Sequence, residues 1–296
     1  MATPQTNRLP RFERAQGALE LHLTDRDINE ILAVVYVLRL ANSDQIQALA
    51  TGSKQQILRR LQKLFHTGLL DRITPRLNYR VGSEPIVYAI TNAGIQTLEN
   101  EGIVKSFPQT DYNHKNRTIG EPFIRHTLLV SQFRTVLMLA CRDHPGIELR
   151  GWHQGRTIQD SIQVPLGNSR EEIPVAADGF FTLGLPEGKA RFFLEADRGS
   201  MSIPRFTKKL IGFHAWWRAG RYTEKFGNKF FRVLTVTSSR KRLQNLVAAA
   251  RGLPDVKKNG NMFLFTAEDQ LQLDAPGKIF EKIWTNVAGD EPCSML

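Results

Sequence analysis

Three apolar stripes at helical spacing, crowded between Thr24 and Leu64, restrict this chain more than any other feature. Ile28, Ile31, Leu32, Val35 and Leu38 fall three or four residues apart. Thr24, an N-cap residue type, precedes them with Asp25 and Asp27 in the first turn, so a helix is expected to about Leu40. Ser43 is expected to cap a second, short helix through Leu49 and Ala50. Thr51, Gly52 and Ser53 then make a tight turn, and Lys54 opens a third helix. There Ile57, Leu58, Leu61 and Leu64 form the stripe expected to be buried, leaving Lys54, Gln55, Gln56, Arg59, Arg60 and Lys63 for the exposed side.

Gly68 ends the third helix. Residues 69–73 read as a strand, 74–85 as a basic loop carrying Arg76 and Arg80, and 86–90 as the returning strand. Thr91 is expected to cap one more helix over 92–100. Three helices with a glycine turn, followed by two strands around a basic loop, are the order of a winged helix-turn-helix. In that arrangement Ser53, Lys54, Gln55, Gln56 and Arg59 meet base edges in the major groove; Gln suits adenine, and Arg or Lys suits guanine. Arg60, Lys63, Arg76 and Arg80 join them as DNA-binding residues, because between Lys54 and Arg80 the only acid is Asp71 and one-signed charge neutralises phosphates. A solvated face on a protein-interaction module is the competing reading.

The organisation expected is a loose arm over 1–23, the winged helix-turn-helix over 24–101, a polar linker over 102–120, a second domain over 121–288 and a tail over 289–296. In the second domain helices are expected over 123–141, 203–218 and 240–251, the last capped by Ser238 or Ser239. Strands are expected over 147–152, 179–183, 190–196, 230–237 and 262–266. That alternation makes a mixed α/β sheet domain, and the chain as a whole α+β.

The stretch 176–200 reads as a β-hairpin turning at Pro186, Glu187 and Gly188. Counted outward from the turn, Asp178 lands opposite residue 195, 196 or 197. Glu195 and Asp197 share one face of their strand, since side chains alternate with period two. In two of the three registers Asp178 joins them, giving three carboxylates within reach of one divalent cation. Carboxylates held so close repel unless a metal, a cation or protonation compensates them. An ordinary ion-pair network, with Asp197 paired to Arg198 or to a helix-borne lysine, explains the same residues.

Asp178 and Glu195 on such a hairpin resemble the Asp followed by Glu-x-Lys of the PD-(D/E)XK, or restriction-endonuclease-like, fold. Ala177 stands where that pattern opens with proline, and Asp197 stands where it has lysine. The resemblance implies Asp178, Glu195 and Asp197 as ligands of Mg2+ or Mn2+, with Lys208 or Lys209 of the next helix supplying a migrated amine. More specifically, the chain resembles the replication-relaxation family. HTLLVSQFRTVL from His126, LRGW from Leu149, ADGFF from Ala177, FLEADRGS from Phe193, RFTKKLIGF from Arg205, RVLTVTSSRKRL from Arg232, FLFT from Phe263 and the closing IW at Ile283 stand in that family's order over about 24–287. That likeness implies DNA binding in plasmid replication and DNA relaxation.

Composition agrees with a polyanionic partner: 40 Lys and Arg against 29 Asp and Glu give a formal net charge of +11. No apolar run approaches the roughly 18 residues of a membrane span, and the first residues lack an apolar signal core, so a cytoplasmic chain without a membrane partner is expected. Two cysteines, Cys141 and Cys293, fit a reducing compartment. Between Arg198 and Arg242 the only acid is Glu224, which gives the second domain its own candidate phosphate-facing surface. Trp216 and Trp217 read as core or interface more readily than as stacking platforms. GLPEGKA from Gly184 is too short for a phosphate loop and lies in a hairpin, and the histidines show no paired zinc spacing.

Two functions remain open at this level. One is a double-stranded DNA-binding protein of the replication-relaxation type, its winged helix reading a site and its nuclease-like domain adding phosphate contacts or a homodimer interface, with no certain cofactor. The other is a divalent-metal DNA endonuclease or nickase using Asp178 and Glu195. Asp197 in place of the lysine ranks the binder first.

Overall fold

The computed structural model describes residues 11–15, 20–73, 84–105, 110–167 and 169–296. They form a mixed α+β structure of two compact units, Met1–Ser131 and Gln132–Leu296. Among the described residues no helix is long and apolar enough to cross a membrane.

The first unit opens as the sequence implies. Thr24 donates to Asp27 Oδ2 from its backbone N (2.8 Å) and its hydroxyl (2.7 Å), and Asp27 N donates back to Thr24 Oγ1 at 3.3 Å. The helix that follows is π-wound over Asp27–Leu32 and becomes α-helical over Ala33–Leu38 (α1). It stops at Leu38, short of the expected end, because Arg39 turns to φ 67°. A short strand not anticipated, β1 (Ala41–Asn42), precedes α2 (Ser43–Leu49). Asn42, not Ser43, caps α2: its side chain accepts from Asp44 N and Gln45 N at 3.1 and 2.9 Å, while Gln45 Oε1 accepts from Asn42 N at 2.9 Å. Strand pairing holds Asn42 extended, at φ −83° and ψ 164°, which is the backbone an N-cap needs.

Gly52 makes the turn into α3 (Lys54–His66) at φ 117°, where a side chain would be strained. The buried stripe of α3 is Ile57, Leu61, Leu64 and Phe65. Leu58, expected in that stripe, is 38% exposed, since it stands about 100° around the helix from Ile57. Strands β2 (Leu70–Ile73) and β3 (Val87–Ile90) pair antiparallel in a sheet of order β1-β3-β2. The Thr91 hydroxyl caps α4 (Asn92–Asn100) by accepting from Gly94 N at 3.0 Å. Within the stretch expected as a polar linker, α5 (Tyr112–Thr118) belongs to this unit, and Asn116 Nδ2 donates to Ile90 O at 2.8 Å and to Asp71 Oδ2 at 2.9 Å. Buried polar groups must be satisfied locally, and this helix satisfies them. The division between the units falls later, within α6 (Glu121–Asp143).

The second unit carries a six-stranded sheet of order β11-β10-β9-β8-β7-β4. Its strands are β4 (Glu148–His153), β7 (Gly179–Leu185), β8 (Gly188–Asp197), β9 (Arg232–Thr237), β10 (Phe263–Ala267) and β11 (Thr285–Asn286). β4, β7 and β8 run antiparallel in turn, whereas β8, β9 and β10 are parallel. Parallel neighbours need crossovers. Helices α7 (Ile203–Arg218) and α8 (Arg221–Phe226) fill the first, and α9 (Arg240–Arg251) and α10 (Pro254–Lys258) the second. Phe193, Phe213, Trp216, Tyr222, Phe231 and Phe265 pack in the core these helices cover.

A separate hairpin not foreseen from sequence, β5 (Asp160–Leu166) with β6 (Ser169–Val175), lies against α7. A Cβ at Gly212 of α7 would stand 2.6 Å from Ile173 Cγ2, so only glycine allows this approach. The expected tail is also part of the fold. Cys293 and Trp284 exchange backbone hydrogen bonds of 2.7 and 3.1 Å, and Met295 is fully buried.

Candidate functional site

The exposed face of α3 is the first candidate. Lys54, Gln55, Gln56, Arg59 and Lys63 are exposed, and the helix carries no acidic residue. Its amino end is built by a reciprocal cap: Gln56 N donates to Ser53 Oγ at 3.3 Å, and Ser53 N donates to Gln56 Oε1 at 3.1 Å. Ser53 and the Gln56 carbonyl therefore hold the helix start, leaving Lys54, Gln55 and Arg59 as the outward-facing groups there. Lys54 stands 3.8 Å from Asp44, a loose surface pair.

Arg60 departs from the sequence expectation. Its guanidinium is turned inward, donating from Nε to Asp27 Oδ1 at 2.8 Å, from Nη2 to Asp27 Oδ2 and to His22 O at 3.0 Å. Asp27 is fully buried, so the arginine is the counter-ion that makes its burial tolerable. Burial alone would raise the Asp27 pKa; the hydrogen bonds from Arg60 and Thr24 outweigh it and hold the carboxyl below its ordinary value. No sequence signal pointed to this pair, because Asp27 looked like a first-turn capping acid and Arg60 like its neighbour Arg59. Arg76 and Arg80 lie outside the described residues.

In the second unit the hairpin register is resolved. Gly179 pairs with Leu194 and Leu185 with Gly188, so Asp178 falls opposite Glu195 one step further along. Asp178 N donates to Leu194 O at 2.9 Å, and Asp178 Oδ2 accepts from Ala196 N at 2.8 Å. Gln154 Nε2 donates to the Asp178 carbonyl at 2.8 Å, a contact sequence reading did not contain. Glu195, near the carboxyl end of β8, is buried and ion-paired to Lys209 Nζ from α7. Burial opposes the Lys209 charge, but the facing carboxylates Glu195 and Asp178 outweigh it, so its ammonium pKa ends above the ordinary lysine value.

Asp197 does not join this group. It forms a two-point pair with Arg242 of α9, accepting from Nε at 2.7 Å and from Nη2 at 3.1 Å, and it also accepts from Thr237 Oγ1 at 3.0 Å. Asp197 pairs in register with Thr237 at the end of the parallel neighbour β9, and α9, which follows β9, brings Arg242 to its carboxylate. Lys208 likewise turns elsewhere, pairing with Glu171 on β6. Adjacent helical residues diverge by about 100°, so Lys208 and Lys209 cannot serve one site. The three-carboxylate cluster is thus replaced by Asp178, Glu195 and Lys209, and of the two alternatives, Lys208 or Lys209, it is Lys209 that meets the carboxylates. Among the described residues no group of three or more His, Cys, Asp or Glu is assembled as a metal ion would require.

Six of the twelve cations in the basic run 198–242 form ion pairs within this unit. Arg198 pairs with Glu268 (2.7 Å), Arg221 with Asp160 (3.1 Å) and Arg240 with Asp269 (3.0 Å), besides Lys208, Lys209 and Arg242 above. Arg205, Arg218, Lys229 and Lys241 remain exposed. Trp216 is fully buried and donates to Asp160 Oδ2 at 2.8 Å, in keeping with a core role.

Comparison with known proteins gives one match: the family model for replication-relaxation matches residues 32–233, more than half of the chain. No curated protein and no solved structure matches it.

Proposed function

The chain belongs to the replication-relaxation family, and from that premise we propose that it is a double-stranded DNA-binding protein whose first unit is a winged helix-turn-helix. The observation that carries the reading is α3, whose apolar stripe is buried while Lys54, Gln55, Gln56, Arg59 and Lys63 stand exposed with no acid among them. An amino-terminal turn bearing Lys and Gln beside free helix N–H groups suits a major groove, and strands β2 and β3 flank the basic segment that would form the wing. In this reading the second unit is a nuclease-like domain that adds phosphate contacts or a homodimer interface. The test compares a preferred duplex with a random one. Gln55→Ala and Arg59→Ala weaken the preferred duplex more, each by about 1–3 kcal/mol, because base-edge contacts carry discrimination. Equal losses on both duplexes reject α3 as the reader.

A second reading, a Mg2+- or Mn2+-dependent nickase, is favoured by the Lys209–Glu195 pair with Asp178 opposite. Lys209 supplies from α7 the amine that Asp197 displaces from the hairpin. Asp178 and Glu195 fit a magnesium ion to the extent that such ions use one or two carboxylates and complete their shell with water and substrate phosphate. Bound there, the ion would stabilise charge on the phosphate and help generate the attacking hydroxide, while Lys209 would hold the Glu195 carboxylate in place. Nicking of supercoiled plasmid by the wild type that is lost in both Glu195→Gln and Lys209→Met, with duplex binding kept, establishes this reading. A wild type inert with either metal leaves the second unit a DNA-contact domain.

A further inference from the structure

Away from the carboxylates, the second unit has a cavity of about 520 Å³ at the amino ends of β8, β9 and β10. Glu195 lies towards the other end of β8, so the two features are separate. Four cations line the cavity, Lys189, Arg191, Arg232 and Lys258, and no carboxylate lines it among the described residues. Four aromatic residues, Phe192, Trp217, Phe230 and Phe231, are also in its lining, and of these Phe192 and Phe231 are buried in the core.

Phe230 is the anomaly. Its ring is 72% exposed, the most open of the large exposed apolar side chains, although its neighbour Phe231 is buried in the core. The surrounding backbone is fixed: Tyr222 Oη donates to Phe230 O at 3.3 Å, and Trp217 Nε1 donates to Lys229 O at 2.9 Å. The Trp217 and Phe230 rings stand 6.3 Å apart at 37°, as two walls of one cleft. A second cavity shares Trp217, Phe230, Lys258 and Asn259 and adds Arg218 and Lys229 together with His214 and one acid, Asp255, so the cations still outnumber acids beyond the ring. Arg232 is oriented by donating to Met295 O at 2.9 Å, a neutral partner.

A ring left 72% exposed contributes little to folding, and the four cations of the first cavity repel one another with no carboxylate in its lining. Both are relieved by a ligand that has a flat apolar face and negative charge. We propose that this cleft binds an unpaired nucleotide, its base stacked on Phe230 and its phosphate met by Lys189, Arg191, Arg232 and Lys258. Stacking of this kind accepts any base, and cations tracking a phosphate supply the rest. Two sources share that chemistry, a single strand of nucleic acid and a free nucleotide. The site differs from the α3 face, which is proposed to take duplex.

The experiment uses the full chain, with labelled oligothymidylate followed by anisotropy, dTMP followed by calorimetry, and a closed hairpin duplex as the control. Phe230→Ala weakens oligothymidylate binding by about five- to a hundredfold, the usual range for removing one stacked base. The double variant Arg191→Glu with Lys258→Glu weakens it at least as much, and both variants keep the wild-type melting temperature and duplex affinity. Loss on the oligonucleotide assigns the cleft to a single strand; loss on dTMP with no oligonucleotide binding assigns it to a free nucleotide. The proposal is overturned if the wild type binds neither probe, if both variants leave both affinities unchanged, or if duplex affinity falls in parallel.

Discussion

Replacing Arg60 by alanine separates the folding role of α3 from its DNA-facing role. Arg60 is 19% exposed and its partner Asp27 is fully buried, with hydrogen bonds from Nε at 2.8 Å and from Nη2. Removing the arginine leaves a carboxylate in the core with only Thr24 as donor. Breaking a buried pair from one side costs about 3–5 kcal/mol, several times an exposed pair. For a unit of this size that corresponds to a fall of roughly 10–20 °C in its melting transition. The assay is a thermal melt of Arg60→Ala beside Arg59→Ala, with duplex binding measured well below both transitions. Arg60→Ala melts early and binds duplex nearly as wild type does, whereas Arg59→Ala melts normally and binds weakly. Exchanging Asp27 and Arg60 together for apolar residues of similar volume recovers most of the lost stability, because no charge then remains buried alone. An Arg60→Ala protein with a wild-type melt and weakened duplex binding refutes the inward placement and returns Arg60 to the DNA face.

The same pair makes stability depend on acid. The folded-state pKa of Asp27 lies below the ordinary carboxyl value, so its contribution is full above that ordinary value and fades as pH falls through the depressed one. Denaturant melts from pH 6 downward should therefore show the gap between wild type and Asp27→Asn constant at first and closing only below about pH 4; a gap that closes nearer neutrality contradicts the assignment. In the second unit, Arg242→Ala strands the buried Asp197 and lowers stability by about 3–5 kcal/mol, whereas Lys208→Ala removes an exposed pair with Glu171 and changes it by about 1 kcal/mol or less. Calorimetric melts that rank these two variants the other way would mean that Asp197 is not held by Arg242.

Much of the fold is local in origin and could be read from the chain. The Thr24 cap, the glycine turn before α3, the Thr91 cap of α4 and the Pro186–Glu187 turn of the β7–β8 hairpin each depend on residues within a few positions of one another. So does the alternation that places Glu195 and Asp197 on one face of β8. What periodicity could not decide is which partner each charged side chain finds. Arg59 and Arg60 are indistinguishable in sequence, yet the buried Asp27 takes one of them inward. Glu195 and Asp197 share a face, but the parallel neighbour β9 brings Arg242 to Asp197, while the pitch of α7 delivers Lys209, and not Lys208, to Glu195. The Phe230 cleft is a product of long-range packing, since its lining brings together residues of β8, β9 and α10, and so is the seating of the β5–β6 hairpin on α7, although the pairing within that hairpin is local. Short-range hydrogen bonding fixed the elements, and the tertiary structure alone chose the ion pairs, because a buried charge takes whichever counter-ion the packed helices carry to it.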